Sequence, residues 1–287
     1  MANEFVTILE NIPFGKTLSN IVTLFRVSEW IDKIQMNIGA AFIILLYLFY
    51  TNSKINHNVF LMLVVFIIYQ GFLACYGYAI NAYADRKFDS MVGKYKGVSY
   101  FNKRDLSIIL VFLSIGSLGI PLLLNDIRIT ILGIVAFILS SGYSLKPIRL
   151  KDRGLAGLIC ATLPQRPVMI LIFGLMVDAR PELVGILMGW ALFIGLIMEL
   201  GHQMLDYQND ITSGIHTWIV KADISKVKKY TFMSIFFYLL FIILPFYYFV
   251  PEIGLIISLI MMVFSGHSIF YFLDGWKAYK KDSQYNT

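Results

Sequence analysis

The feature that most limits the fold of this chain is a series of apolar stretches, each about as long as a membrane-spanning helix. They lie at residues 29–51, 58–80, 106–124, 127–145, 155–177, 184–205, 230–250 and 253–273. A helix needs about 20 apolar residues to cross the hydrocarbon core of a bilayer. Hydrophobic residues make up 58% of the chain and charged residues only 15%, unlike a soluble globular domain. The sequence therefore predicts an integral membrane protein.

No linker or low-complexity segment divides these stretches from one another. We therefore expect an all-α fold, a polytopic transmembrane helix bundle of about eight (eight or nine) spans, formed by a single domain over residues 1–287. Residues 4–27 alternate apolar and polar positions at helical spacing, which suits a helix in the membrane interface or a disordered start. The acidic N-terminal segment has no cleavage site, so we expect no removed signal peptide.

The distribution of basic residues predicts the orientation in the membrane. Most of the 24 Lys and Arg residues fall at the termini and in the loops after the second, fourth and sixth spans. The opposite loops hold only Lys54, Arg128 and Arg180. Since basic loops stay on the cytoplasmic side, we expect both termini and the three basic loops to be cytoplasmic. The net charge of +6 then requires no nucleic-acid partner.

Polar residues recur where two of the predicted spans end. Asn81, Asp85 and Asp89 follow the second span at intervals of four residues and form what we name the first acidic motif. Asp206 and Asp210 leave the sixth span with the same spacing and form the second acidic motif. Because the pattern recurs four helices later, we expect two pseudo-repeated four-helix halves.

The spacing of these motifs suits metal binding. Residues four apart lie near one face of a helix, so several oxygen atoms converge. For one motif alone, solvated carboxylates paired with Arg86 and Lys87 would be an equally good explanation. Two motifs at the same membrane face favour a function. Carboxylate oxygens suit Mg²⁺, which completes its shell with waters and substrate phosphates, so we expect one ion per motif, bridged by a diphosphate.

The neighbouring cytoplasmic loops supply cations that would complement a diphosphate. Lys94 follows the first acidic motif, and the segment YSLKPIRLKDRG carries Lys146, Arg149 and Lys151. We name this segment, residues 143–154, the basic segment. For any single lysine, its effect on topology is the more frequent explanation.

In their order and intervals these residues resemble the UbiA superfamily of intramembrane prenyltransferases, over nearly the whole chain. The matching features are Asn-x-x-x-Asp-x-x-x-Asp at 81–89, Tyr-Ser with downstream basic residues at 143–151, and Asp-x-x-x-Asp followed by Gly214 and Thr217 at 206–217. The resemblance implies a helical bundle in which both acidic motifs bind Mg²⁺ and the diphosphate of an isoprenyl donor. Two departures, Ala82 where many members have Asp and no Arg-Pro after the first motif, leave donor and acceptor open.

Residue by residue, the resemblance implies the following site. The metal ligands would be Asn81, Asp85, Asp89, Asp206 and Asp210. The catalytic residues would be the same four aspartates and Tyr143. The diphosphate would be bound by Asn81, Lys94, Lys146, Lys151 and Arg26, although an arginine just before the first span also suits a role at the interface.

The predicted function is Mg²⁺-dependent transfer of an isoprenyl group from its diphosphate to a lipophilic or aromatic acceptor. Metal ions and cationic side chains would stabilise the charge that grows on the diphosphate as the allylic C–O bond breaks. The alternatives are a terpene cyclase of the same fold and phosphoribosyl transfer to a polyprenyl phosphate. A cation-coupled transporter is a further alternative, against which the acidic pairs and basic loops argue.

Two further features have two interpretations each. Pro164, Arg166 and Pro167 interrupt the fifth span, and an arginine at that depth is costly unless it faces a cavity or a partner. The interruption either shapes an acceptor pocket or is a kink at which Arg166 snorkels or pairs with an acid such as Glu199. His202, four residues before the second acidic motif, either hydrogen-bonds that motif or packs between helices.

Overall fold

The structure, a computed structural model, describes residues 15–51, 58–91 and 100–284. Within these ranges the chain forms helices and no strand, which confirms the predicted fold class. The helices are α1 (Gly15–Phe25), α2 (Val27–Tyr50), α3 (Asn58–Met91), α4 (Lys103–Leu123), α5 (Ile127–Ser144), α6 (Leu155–Thr162), α7 (Pro167–Met176), α8 (Pro181–Leu205), α9 (Tyr207–Ser213), α10 (Trp218–Lys221), α11 (Ile224–Tyr248) and α12 (Pro251–Gln284). A short 3-10 helix, Leu150–Asp152, precedes α6.

The long apolar helices match the predicted spans. Seven segments of the described chain are long and apolar enough to cross a membrane, and the apolar part of α2, Ile34–Tyr50, corresponds to the predicted first span. Helices α6 and α7 together form one broken span, Leu155–Met176. The protein is therefore an integral, multi-pass membrane protein. The helix expected over residues 4–27 is present from Gly15, and residues 4–14 lie outside the described ranges.

Helix α8 lies at the centre of the bundle, in contact with α2, α6, α7, α11 and α12. About two thirds of its apolar window is buried, as in the broken span, whereas most of α4 and α11 faces outward. The packing between α8 and α12 is close because both helices have glycine at the contact. A Cβ atom on Gly275 would overlap the backbone of Gly201. This contact fixes the end of α8 that precedes the second acidic motif.

The two acidic motifs lie at the same end of the bundle. Helix α9, which follows Asp206, contacts α3, which carries the first motif. Lys221 Nζ, beyond the second motif, donates to the backbone oxygen of Asp152 in the basic segment, at 2.8 Å. Helix α1 also packs on α3, and Tyr207 lies edge-on against Tyr279 of α12. The fold therefore gathers α1, both motifs, the basic segment and the end of α12 on one side.

Candidate active site

The first acidic motif lies on α3, which continues past the predicted span to Met91 and so keeps the motif helical. Asp85 is only 4% exposed, and its two carboxylate oxygens accept hydrogen bonds from Arg149 Nη2, at 3.0 Å, and from Lys151 Nζ. One turn earlier, the Asn81 Oδ1 atom accepts from Ser144 Oγ at 2.9 Å and from Lys151 Nζ at 3.4 Å. The basic segment therefore lies directly against the first acidic motif.

The local backbone of the basic segment decides which of its cations reach Asp85. Arg149 adopts a left-handed conformation with φ of 34°. It begins the 3-10 turn that carries Lys151 inward. Arg149 Nε also donates to Asp152 Oδ2 at 2.6 Å. A Cβ atom on Gly157 would lie 2.6 Å from the Leu150 oxygen, so glycine allows the turn to pack on α6. Two acids and two bases thus form a charge-balanced cluster.

Burial changes the acid–base properties of this cluster. Desolvation lowers the pKa of Lys151 from its ordinary value, and the nearby Asp85 carboxylate opposes that change. Buried charges are tolerated only when they are paired and hydrogen-bonded. The cluster meets this requirement, so its cations are held in place before any substrate binds.

The second acidic motif is less regular than the first. Helix α8 ends at Leu205 and α9 begins at Tyr207, so Asp206 lies at a bend between two helices, whereas the sequence suggested one continuous helix. Asp210 is buried, and its Oδ2 atom accepts a hydrogen bond from Thr217 Oγ1 at 3.0 Å. Gly214, with φ of 70°, ends α9 and allows the chain to return towards Asp210.

His202 lies beside the second acidic motif. Its Nε2 atom is 3.7 Å from Asp206 Oδ2, and its Nδ1 atom is 3.1 Å from the hydroxyl oxygen of Tyr271 on α12. The hydrogen bond to Tyr271 fits the interpretation in which His202 packs between helices. The short distance to Asp206 fits the interpretation in which His202 interacts with the second acidic motif.

A cavity extends from Asn81 of the first acidic motif, and from His202 beside the second, into the bundle. Along α3 it is lined by residues on one helical face, Gln70, Ala74, Tyr78 and Asn81. Its other walls include Asn37 of α2, Tyr143 of α5, Pro164 and Gln165 at the break between α6 and α7, and Glu199 and His202 of α8. The cavity therefore connects the first acidic motif with the interior of the membrane-spanning bundle.

The predicted site residues occupy different positions around this cavity. Asn81, Tyr143 and Arg26 line it, and the Arg26 guanidinium lies 5.3 Å from the centre of the Tyr78 ring. Asp85 and Lys151 form the buried pair next to Asn81, whereas Lys146 is exposed. The side chain of Asp89 and all of Lys94 lie outside the described part of the chain.

Some polar residues of the site were not selected from the sequence. Arg149 was noted only as part of a basic loop, yet it binds Asp85 directly. Asn37, Gln70 and Glu199 are buried polar side chains within apolar helices and line the cavity. Polar residues inside predicted spans are the signal that could have identified them, because such residues are costly in a membrane.

The interruption of the fifth span forms part of the cavity wall. Pro164 lines the cavity, whereas Arg166 is 1% exposed and donates from Nη2 to Met198 Sδ at 3.1 Å. Arg166 does not snorkel, and no ion pair within 4.0 Å joins it to Glu199 among the described side chains. The interruption thus contributes Pro164 to the cavity wall, and Arg166 interacts electrostatically with Glu199 without a direct ion pair, so each interpretation from sequence contains part of the observed arrangement.

The acidic motifs offer oxygen ligands without a complete metal cage. Among the described residues, no group of three or more His, Cys, Asp or Glu side chains could hold a metal ion. Mg²⁺ is usually bound through one or two carboxylates, with waters and substrate phosphates completing its octahedron. The oxygen atoms of Asn81, Asp206 and Asp210, gathered at one end of the bundle, therefore fit an ion that is shared with a phosphate-bearing substrate. Asp85 would join them if Mg²⁺ displaced one of the two cations on its carboxylate.

Comparison with known proteins gives one family and one fold. The sequence model of the UbiA prenyltransferase family matches residues 39–286. No curated protein matches significantly. A solved UbiA homolog from Archaeoglobus fulgidus bound to DMAPP and Mg²⁺ has a TM-score of 0.69 at 15% identity, over 91% of this chain and 99% of the other.

Two further solved structures agree. A UbiA homolog from Archaeoglobus fulgidus bound to GPP and Mg²⁺ has a TM-score of 0.65 at 16% identity, over 91% of this chain and 99% of that one. A digeranylgeranylglyceryl phosphate synthase studied in membranes has a TM-score of 0.61 at 17% identity, over 92% and 99% of the two chains. At such identities these likenesses establish a shared fold.

Proposed function

The chain belongs to the UbiA prenyltransferase family, and from this premise we propose that it transfers an isoprenyl group from its diphosphate to a lipophilic or aromatic acceptor. The observation that carries the proposal is the buried cluster of Asp85, Arg149 and Lys151 next to Asn81, which itself lines a cavity that enters the bundle. This arrangement would place cations near a diphosphate, and the cavity offers a water-excluded space to an isoprenyl chain.

The donor and the metal follow from the same site. The solved homologs bind DMAPP or GPP together with Mg²⁺. In this chain, the residues that would hold Mg²⁺ are Asn81, Asp85, Asp89, Asp206 and Asp210, with one ion at each motif. When bound, Mg²⁺ would neutralise the charge that develops on the diphosphate as the allylic C–O bond breaks.

The residues of the chain have separate roles in this reaction. Arg149 and Lys151, held by hydrogen bonds to Asp152 and Asp85 before substrate binds, would place positive charge beside the leaving diphosphate. Lys94, Lys146 and Arg26 would add cations around it. The C–O bond breaks with its electron pair on the diphosphate, and the acceptor forms the new bond and loses a proton. Tyr143, on the cavity wall, would stabilise the allylic cation through its ring face.

The orientation follows from the shared end of the bundle. Helix α1, both acidic motifs, the basic segment and the end of α12 lie together, and the basic residues of the sequence concentrate there. We therefore infer that this end faces the cytoplasm, where a water-soluble diphosphate head group is available.

Release of inorganic diphosphate by the purified protein tests this function. With Mg²⁺ and a long-chain isoprenyl diphosphate alone, we expect slow release. Addition of a membrane-lipid or quinone-precursor extract should accelerate release and yield a prenylated adduct. Asp206→Asn should abolish this activity, whereas Asp274→Asn, at an exposed position on α12, should not.

Other products would contradict the proposal. Rapid release without an acceptor, with a cyclic hydrocarbon or alcohol as product, would instead identify a terpene cyclase. Release from phosphoribosyl diphosphate in the presence of a polyprenyl phosphate would identify phosphoribosyl transfer. No feature of the described residues favours either of these reactions or a transporter over prenyl transfer.

A further inference from the structure

Two buried amide side chains at the deep end of the cavity lack hydrogen-bond partners. Gln70 on α3 is 4% exposed, and within the described chain neither its Nε2 nor its Oε1 atom has a partner. Asn37 on α2 is 1% exposed; its Nδ2 atom donates to the Gln165 oxygen at 2.7 Å, but its Oδ1 atom has no partner in the same ranges. Both residues line the cavity. Unpaired polar atoms inside a bundle are rare and costly, so they indicate a ligand.

These amides are far from the acidic motifs. Gln70 precedes Asn81 by eleven residues of the continuous helix α3, which places it about 16 Å deeper along the axis. Asn37 likewise lies eleven residues beyond Arg26, the cationic residue at the mouth. We name Gln70 and Asn37 the deep amide pair. A diphosphate bound at the mouth cannot reach this pair, which therefore contacts another part of the bound molecules.

The chemistry of the pair limits what it can contact. A hydrocarbon tail placed there would leave three buried polar atoms unsatisfied, at the desolvation cost of each. An anionic group is also disfavoured, since the charged side chain that lines the cavity on the adjoining wall is Glu199, seven residues deeper on α8 than Asp206. The nearby Arg166 lies outside the lining and donates to Met198. The ligand group that complements the deep amide pair is therefore uncharged and can both donate and accept hydrogen bonds.

We propose that the deep amide pair binds the head group of the acceptor, and that this head group is uncharged and carries at least one hydroxyl group. The inference rests on the proposed prenyl transfer and names the acceptor class for it. Gln70 would accept from a hydroxyl through Oε1 and donate through Nε2, while Asn37 Oδ1 would accept a second hydrogen bond. Held in this way, the nucleophilic atom of the acceptor would face the donor at the mouth.

Equilibrium binding of three probes to the purified protein, without donor or Mg²⁺, tests the proposal. The probes are a 1,4-naphthohydroquinone under anaerobic conditions, the same ring bearing a carboxylate, and a 1-O-alkylglycerol. We expect at least one uncharged probe to bind at least tenfold more tightly than the carboxylated ring. The tighter of the two uncharged probes identifies an aromatic or a glycerol head group. Preferential binding of the carboxylated ring, or binding of no probe, would refute the proposal.

Gln70→Leu, which keeps the size and removes the amide, should weaken binding of the uncharged probe about tenfold or more. Because Gln70 has no hydrogen-bond partner among the described residues, the same change should leave the unfolding temperature unchanged or raise it. Gln203→Leu is the matched control, since Gln203 donates to Glu199 at 3.3 Å and accepts from the Ile219 backbone at 3.4 Å. Gln203→Leu should lower the unfolding temperature. A lower unfolding temperature in Gln70→Leu with unchanged probe binding would show a structural role and overturn the inference.

The inference and the proposed function can fail separately. In Gln70→Leu the KM for the isoprenyl diphosphate should stay within about twofold of wild type, because the helical rise places Asn81, where the diphosphate would bind, about 16 Å from Gln70. A protein that binds the uncharged probe through Gln70 but never releases diphosphate would contradict prenyl transfer and support the pocket. Equal turnover of donor and acceptor by wild type and by Gln70→Leu would contradict the acceptor pocket but not prenyl transfer.

Discussion

Replacement of Asp85 by asparagine should both inactivate and destabilise the protein. A carboxylate at a solvent-connected metal site could be neutralised with little effect on folding. Asp85 is instead buried and binds the side chains of Arg149 and Lys151, which are themselves more than nine-tenths buried. The change would leave the buried Lys151 without its anion, while Arg149 would keep its ion pair with Asp152.

The size of this effect follows from the burial of the cluster. Removal of one partner of a buried ion pair typically destabilises a protein by about 3–5 kcal/mol. For a chain of this size that corresponds to a fall in unfolding temperature of roughly 10 °C. Turnover should fall at least about a hundredfold, since loss of even an indirect metal contact costs 10- to 100-fold.

Two measurements on the detergent-solubilised variant check these effects. Intrinsic tryptophan fluorescence during heating gives the unfolding temperature, and diphosphate release with donor, acceptor and Mg²⁺ gives the activity. The double variant Asp85→Asn with Lys151→Met also removes the cation that has lost its anion. It should therefore recover part of the lost stability and none of the activity. If Asp85→Asn unfolds at the wild-type temperature, or if the double variant is less stable than the single one, the buried cluster is not the arrangement in the folded protein.

Three further predictions concern packing, pH dependence and topology. Gly275→Ala should lower the unfolding temperature because its Cβ would overlap the backbone of α8, whereas Gly266→Ala on the same helix, with open space around it, should not. Asp126 caps α5 and has a pKa of about 2, below its ordinary 3.8, so its stabilisation is present above pH 3.8 and is lost as pH falls through about 2. The difference in unfolding temperature between wild type and Asp126→Ala should therefore vanish near pH 2. In a background without the native cysteines, a cysteine at Lys226 should be labelled from the cytoplasmic side and one at Arg180 from outside.

The membrane-spanning architecture could be predicted from sequence because the bilayer imposes it. A spanning helix needs a fixed length of apolar residues, and its backbone must satisfy its own hydrogen bonds. The stretch at 184–205, for example, corresponds to α8 nearly residue for residue. The position of the acidic motifs also followed, since residues after two spans in the same direction emerge on the same side.

The choice among the basic residues could not be predicted. Lys146, Arg149 and Lys151 lie within six positions, and sequence spacing treats them alike. The left-handed backbone at Arg149 and the 3-10 turn after it direct Arg149 and Lys151 towards Asp85 and leave Lys146 exposed. A non-glycine residue in the left-handed conformation is uncommon, so no pattern in the sequence indicates it.

Asn37 of the deep amide pair links the break in the fifth span to the cavity, because it contacts Gln165 at the break and also lines the cavity. Gln165 lies in the interruption between α6 and α7, and its backbone oxygen accepts from a side chain instead of from a helical N–H group. Inside a membrane such a carbonyl needs a partner from the protein. Asn37 supplies it by donating to the Gln165 oxygen, and this bond fixes the amide so that its Oδ1 atom is not used within the described protein. The hydrogen bond from Asn37 therefore stabilises the broken span at this depth, and the oxygen atom of the same amide is the one that would accept from a hydroxyl group in the cavity.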